Sequence, residues 1–236
     1  MKHVFQRKPL FIIVLFCAVA GILGILTAPA SASVKCWEIS PVCPSTGDVI
    51  SISGKAAGNE IIEISILHEE MVPVSGNNYK YQINKLKVPK SISGGENLFT
   101  VNATGEDGAV VRDMNVRVKK FKWISRHVDA RNGNATISQS NVPSWMSYFV
   151  KIDGEVASKK EGSEKNKEKN NSNKGQVKLT FETSYEAAQA NPDGNFCFKY
   201  DTDSLPAGDY IINIGGIEKK LTLNPEKEKG SKHKNR

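Results

Sequence analysis

Apolar residues recur at every second position through most of the chain. DVISISG, NEIIEISIL, YKYQINKLKV, ENLFTVNATG and VVRDMNVRVKK each alternate apolar with polar residues and are bounded by Gly, Asn or Pro. The alternation returns after residue 120 in FKWISRHV, NATISQ, SYFVKIDG, GQVKLTFET, NFCFKYDT, GDYIINIGG and EKKLTL. No segment holds the 3.6-residue period of an amphipathic helix over a useful length. Short alternating runs separated by turn residues, with no helices between them, predict an all-β protein made of antiparallel sandwiches.

The two series are copies of one another. VISISGKAAGNEIIEISI aligns with FVKIDGEVA…GQVKLTFE, NNYKYQINKLKVP with GNFCFKYDTDSLP, NLFTVNATG with GDYIINIGG, and DMNVRVKK with IEKKLTL. The same order over 49–118 and 149–223 marks an internal duplication whose period is a domain's worth of chain. A shared corner appears as NVPSWMSYFVKIDG (141–154) and SLPAGDYIINIGG (204–216): Pro, a turn, Tyr, then Gly. Pro cannot continue a ladder, so the corner carries the chain around a sandwich edge. The pattern predicts a first β-sandwich over 33–119 and a second over 120–224. The second carries the insertion 158–175 where the first copy has only AAGN.

PDGNFCFKYDTDSLPAGDYIINIGGIEKKLTL resembles the carboxypeptidase-regulatory-like, or transthyretin-like, branch of Ig-like β-sandwiches. There a DG-x-F turn precedes one strand and L-x-x-G-x-Y the next. The match covers about 149–223, with a weaker echo over 49–118. In style the chain is similar to exported, repeat-bearing surface proteins of methanogenic archaea. The resemblance implies two antiparallel Ig-like sandwiches of the non-catalytic kind that stiffen, space or bind.

Residues 1–32 read as an export segment. Lys2, Arg7 and Lys8 form a basic head, LFIIVLFCAVAGILGILT follows, and Ala30-x-Ala32 precedes Ser33. The apolar run is close to spanning length, so a cleaved signal and an uncleaved anchor are both open. Either places residues 33–236 outside the cytoplasm, secreted or anchored, with membrane contact only through this segment. The formal charge of +7 is concentrated. SKKEGSEKNKEKNNSNKG (158–175) and NPEKEKGSKHKNR (224–236) hold the basic excess without an aliphatic or aromatic residue to bury, which predicts disorder for the insertion and for the tail from 225. A nucleic-acid binder would instead set Lys and Arg on a folded face among aromatics, so no nucleic-acid partner is expected. The tail serves either as a solubilising end or as weak attraction to an anionic envelope.

After export, Cys36 and Cys43 bracket CWEISPVC, a spacing that outside the cytoplasm reads as a disulfide. Cys197 is then either a buried thiol or an intermolecular bridge. HEEMV at His68 has Val72 where a zincin needs its second His, and no nucleophile elbow, P-loop or dinucleotide fingerprint occurs. Asp193, Asp201 and Asp203 lie beside turns and read as caps more readily than as calcium ligands. No cofactor or metal is expected and no enzyme activity. Asn102, Asn134 and Asn170 head N-x-S/T sequons. Trp145 and Met146 occupy the corner where the duplicate has Ala207 and Gly208. With Tyr148 they form the one site expected: either a wedge between the domains or a contact for a partner protein or glycan. The expectation is a non-catalytic cell-surface or envelope protein acting in adhesion, spacing or envelope assembly. The alternative is an accessory carbohydrate-binding module, which would need exposed aromatics on one sheet.

Overall fold

The computed structural model describes residues 33–226 except 93, 95, 120–121, 145–146 and 159–174. Residues 1–32, where an export segment is expected, nearly all of the insertion and the tail beyond 226 therefore lie outside the described residues. The described chain is all-β, and no helix in it is long and apolar enough to cross a membrane.

The strands are β1 (Cys36–Ser40), β2 (Val49–Lys55), β3 (Ile61–Pro73), β4 (Asn78–Lys87), β5 (Leu98–Glu106), β6 (Ala109–Val111), β7 (Asp113–Lys119), β8 (Trp123–Asp129), β9 (Asn134–Ser140), β10 (Ser147–Ser158), β11 (Gln176–Gln189), β12 (Asn195–Asp201), β13 (Gly208–Ile214) and β14 (Ile217–Leu223). A six-stranded sheet runs β14-β13-β3-β11-β5-β9. A three-stranded sheet, β1-β2-β12, and a sheet ordered β4-β10-β7-β8, with β6 also on β10, complete the fold. All strand pairings are antiparallel.

The two longest strands, β3 and β11, pair along their whole length, from Ile61↔Gln189 to Pro73↔Gln176. The alternation of β3 buries Ile62, Ile64, Ile66, His68 and Val72 on one face. Both smaller sheets lie side by side against that face, each over its own core. One core gathers Trp37, Ile52, Ile62, Ile64, Tyr185, Phe196, Tyr210 and Ile212. The other gathers Val72, Tyr79, Val101, Met114, Val150, Ile152, Val177 and Leu179.

These cores do not follow the halves of the chain. The expected boundary at 119/120 falls between β7 and β8, which are neighbours in one sheet. Residues 33–67 and 182–224 build the first core, and the stretch between them builds the second. The duplication is real in register but crossed in partners. β2 meets β12 through Ile50↔Tyr200, Ile52↔Phe198 and Gly54↔Phe196. β10 meets β4 through Val150↔Ile83, Ile152↔Tyr81 and Gly154↔Tyr79, the corresponding positions of the two copies. Phe99↔Thr183 and Tyr210↔His68 correspond in the same way. Each of these strands thus pairs with the partner strand of the other copy, about a pseudo-twofold axis through the centre of the β3–β11 ladder. One aligned pair fails. β7 lies on β10 as β1 lies on β2, and β14 lies on β13 as β9 lies on β5, so DMNVRVKK and IEKKLTL are not equivalent.

The shared corner is explained by one hydrogen bond made twice. Tyr148 Oη donates to the Pro143 carbonyl and Tyr210 Oη to the Pro206 carbonyl, each at 2.7 Å. A buried Tyr hydroxyl needs an acceptor, and the Pro carbonyl just upstream provides it.

The expected Cys36–Cys43 disulfide is absent: Cys36, Cys43 and Cys197 are all free and exposed. β1 leaves Cys36 in extended conformation, so about 13 Å separate it from the strand end at Ser40. The chain after Cys43 is then led away to β14, where the Asn224 N–H donates to the Pro44 carbonyl at 3.0 Å. A disulfide needs Cα atoms within about 7 Å. Cys197, expected buried as one of its two readings, faces outward with Sγ 3.5 Å from Ser51 Oγ.

Candidate binding face

Of the three expected contact residues only Tyr148 lies among the described residues. Trp145 and Met146 lie outside the described residues, as does Asn170. Tyr148 is 7% exposed, held by its bond to Pro143 and lining the core side of β10. It therefore offers no surface to a partner. Burial raises its pKa. Asn134 is exposed at the start of β9, next to the turn at Asn132 and Gly133. Asn102 sits mid-strand in β5 with its side chain engaged by Thr104 and Thr136.

The acidic and histidine candidates are occupied by the fold. Asp201 and Asp203 share Lys87, whose Nζ lies 2.7 Å from Asp203 and 3.6 Å from Asp201. That hydrogen bond to Asp203 is the first cause holding the Lys87 pKa up. The Asp203 N–H also donates to Asp201 Oδ1 at 3.0 Å, the turn-capping role expected. His68 is buried between the rings of Tyr210 and Phe181 and its Nδ1 meets the Asp209 carbonyl at 2.9 Å. Among the described residues no cluster of His, Cys, Asp and Glu is placed to hold a metal.

What the structure does assemble is a face on the outside of the β4-β10-β7-β8 sheet. β8 is an edge strand that pairs only with β7, and almost every residue in it is exposed. In β10 Tyr148, Val150 and Ile152 point into the core, so Phe149, Lys151 and Asp153 point out. Register then lines up rows across β8, β7 and β10. The first is Trp123–Lys119–Phe149 and the second Ser125–Arg117–Lys151. The third is His127–Asn115–Asp153, and beyond it Asp129 faces Asp113.

Trp123 is 44% exposed and meets Phe149 edge-on, with centroids 5.7 Å apart and planes at 78°. Lys151 Nζ lies 5.4 Å from the Trp123 ring and 5.5 Å from that of Phe149. Lys119 Nζ lies 5.8 Å from the Trp123 ring. These are cation–π distances, and the contact holds both ammonium groups near the rings. Neither lysine has a carboxylate partner among the described residues, whereas Arg117 is spent on Asp153. Farther along, His127 Nδ1 contacts Asn115 Oδ1 at 2.9 Å and Nε2 lies 3.3 Å from Asp129. The face therefore grades from aromatic and cationic at one end to acidic at the other.

Sequence reasoning missed this face, although a signal existed. Phe149 stands on the polar parity of SYFVKIDG, and Trp123 on the same parity as Ser125 and His127. The criterion used against nucleic acid, that the basic excess avoids folded faces, does not hold for this patch. Behind the face, a cleft of about 330 Å³ opens between β8 and β9, lined by Val118, Ile124, Arg126, Ile137 and Tyr148 among others. No protein-family model, curated protein or solved structure matches the chain.

Proposed function

We propose that this is a non-catalytic exported protein of the cell surface or envelope, with two Ig-like sandwich cores on one shared β3–β11 ladder behind a signal or anchor at 1–32. Its work is adhesion, spacing or envelope assembly. The observation that carries the reading is the outer face bearing Trp123, Phe149, Lys119 and Lys151. An open sheet face with ring surfaces and cations that have no carboxylate partner among the described residues suits contact with another surface, whereas reaction chemistry favours a concave pocket with converging groups. Ser33, where the export segment joins, is tied to Glu60 at 2.8 Å, beside the core that does not carry this face. An anchor there leaves the face on the other half of the molecule.

The test is cell fractionation of the tagged full chain, followed by retention on washed envelope. The chain is expected outside the cytoplasm, and Trp123→Ala with Lys151→Gln is expected to lose most of its retention. A cytoplasmic chain, or retention indifferent to the double variant, overturns the proposal. The second reading, an accessory carbohydrate-binding module, is favoured by the Trp123–Phe149 pair on one sheet face. It predicts that periodate treatment of the envelope abolishes retention.

A further inference from the structure

The two cores are closed differently, and the duplication shows where. β5 pairs with β9 as β13 pairs with β14, and Phe99 corresponds to Tyr210. Tyr210 stands opposite Leu221, which is buried at 5% exposure, whereas Phe99 stands opposite Gln139, which is exposed. Two residues on, Leu223 is also buried, and its counterpart Asn141 is exposed in the left-handed conformation that ends the strand (φ 56). The wall that leucines complete in the first core is thus polar in the second. It borders the cleft of about 330 Å³ between the edge strands β8 and β9. On the other wall, Ile124 stands opposite Val118 and Arg126 opposite Val116, on the core side of β7. Both therefore point between the sheets, away from the face that carries Trp123, yet Ile124 is 59% exposed and Arg126 is exposed.

We infer that this cleft binds a single-chain carboxylate of about twelve carbons, its alkyl chain between the two sheets and its head on Arg126. The interior supplies Val101, Val116, Val118, Ile137 and Val150 for the chain. A cavity of about 150 Å³ takes benzene, so one of about 330 Å³ takes a single chain of about ten to twelve carbons and excludes a two-chain lipid. Arg126 is the charged side chain among the described residues that line the cleft, and it has no carboxylate partner among them. Glu96, the carboxylate bonded at the rim, accepts from Asn141 Nδ2 at 2.9 Å. The guanidinium fork matches a carboxylate through two parallel hydrogen bonds. Gln139 and Asn141 keep the entrance wet where leucines would seal it. An inward charge on an edge strand also deters a further strand from pairing there. That device needs only β8 and does not call for Gln139 where the other copy buries Leu221.

The experiment photolabels the full chain, purified in digitonin, a detergent without an alkyl chain, using dodecanoate that carries a mid-chain diazirine. Labelling is expected to saturate and to fall in peptides from β7, β8, β9 and β10, the strands that wall the cleft. Unlabelled dodecanoate should displace the label. Dodecanol, without the charge, should do so about tenfold more weakly, and hexanoate, short of six methylenes, about a hundredfold or more. Arg126→Gln should weaken labelling about tenfold. Lys55→Gln removes the same charge on the sheet of the other core and should change little. Ile137→Trp fills the cleft and should abolish labelling. Its melting temperature shows whether it is folded, and Arg126→Gln, at an exposed side chain, decides the matter if it is not. Label confined to other segments, equal displacement by dodecanol, or undiminished labelling of Arg126→Gln overturns the inference. Displacement by lauroyl lysophosphatidylglycerol about tenfold better than by dodecanoate assigns the site to a lipid headgroup and overturns the carboxylate. A dimer in sedimentation whose cleft takes no label makes a second copy the occupant and overturns it as well.

Discussion

Gly54 and Gly154 show at single-residue scale how the two copies are joined. A Cβ on Gly54 would stand 2.3 Å from the Cys36 carbonyl and 2.6 Å from the Phe196 ring. A Cβ on Gly154 would stand 2.2 Å from the Asp113 carbonyl and 2.6 Å from Tyr79 Oη. Each glycine lets a neighbouring backbone and an aromatic ring from the other part of the duplication close over it. Backbone cannot yield as a flexible side chain does, so Gly54→Ala and Gly154→Ala should each cost about 2 kcal/mol or more in denaturant titration. Gly76→Ala, with φ +63 and open space around it, should cost only about 1 kcal/mol. The tyrosines supply a second prediction. Burial, then Glu70, pushes Tyr81 up to about 12; burial, then Asp201 and Asp203, pushes Tyr200 up to about 12. Burial raises Tyr79, Tyr185 and Tyr210 as well. The unfolded chain gives up these protons near pH 10, before the folded one does. Their contribution is therefore complete below pH 10 and is lost as pH rises toward 12. The denaturation midpoint should hold between pH 7 and 9 and drop clearly by pH 11; a midpoint steady to pH 11 contradicts the burial of these hydroxyls.

At the scale of strands the crossing of the two copies is the main departure from expectation, and a native cysteine tests it. Cys197 on β12 stands directly opposite Ser53 on β2, both facing outward. In a background with Cys36 and Cys43 replaced by Ser, Ser53→Cys should form a disulfide with Cys197 on mild oxidation, seen as a cross-linked peptide. Directly opposed strand positions bring Cβ atoms to about 5 Å, close enough for a bridge with slight adjustment. In tandem domains β2 and β12 belong to separate bodies and the cross-link does not form. The existence and faces of the strands were legible because alternation fixes which side of each strand is buried: Ile62, Ile64 and Ile66 could only point inward. The choice of neighbour was not legible. Alternation carries no information on which strand pairs with which, and in a duplication the equivalent strand of the other copy satisfies the pattern equally well. The binding face was hidden for a related reason. Trp123 and Phe149 become neighbours only when β8, β7 and β10 are laid side by side, whereas Trp145, conspicuous in its turn, drew attention by local contrast alone.

At the scale of the whole molecule, the β3–β11 ladder decides how the protein unfolds. Ile62 and Ile64 serve one core and Val72 the other, yet all three lie on one continuous strand. β11 divides its side chains in the same way, with Val177 and Leu179 in one core and Tyr185 and Ala188 in the other. Neither core keeps its central pair of strands if the other loses order along the ladder. Two independent domains joined at a linker would melt in two steps and would feel core mutations separately. Here Ile64→Ala and Leu179→Ala, both fully buried and in different cores, should each lower one and the same cooperative transition by about 3 kcal/mol. Calorimetry of the wild type should show a single peak whose van't Hoff and calorimetric enthalpies agree. Two peaks, with each substitution moving only one of them, would show that the ladder transmits nothing. In that case the molecule is a pair of domains after all, and the outer face that carries Trp123 would be free to work on its own half.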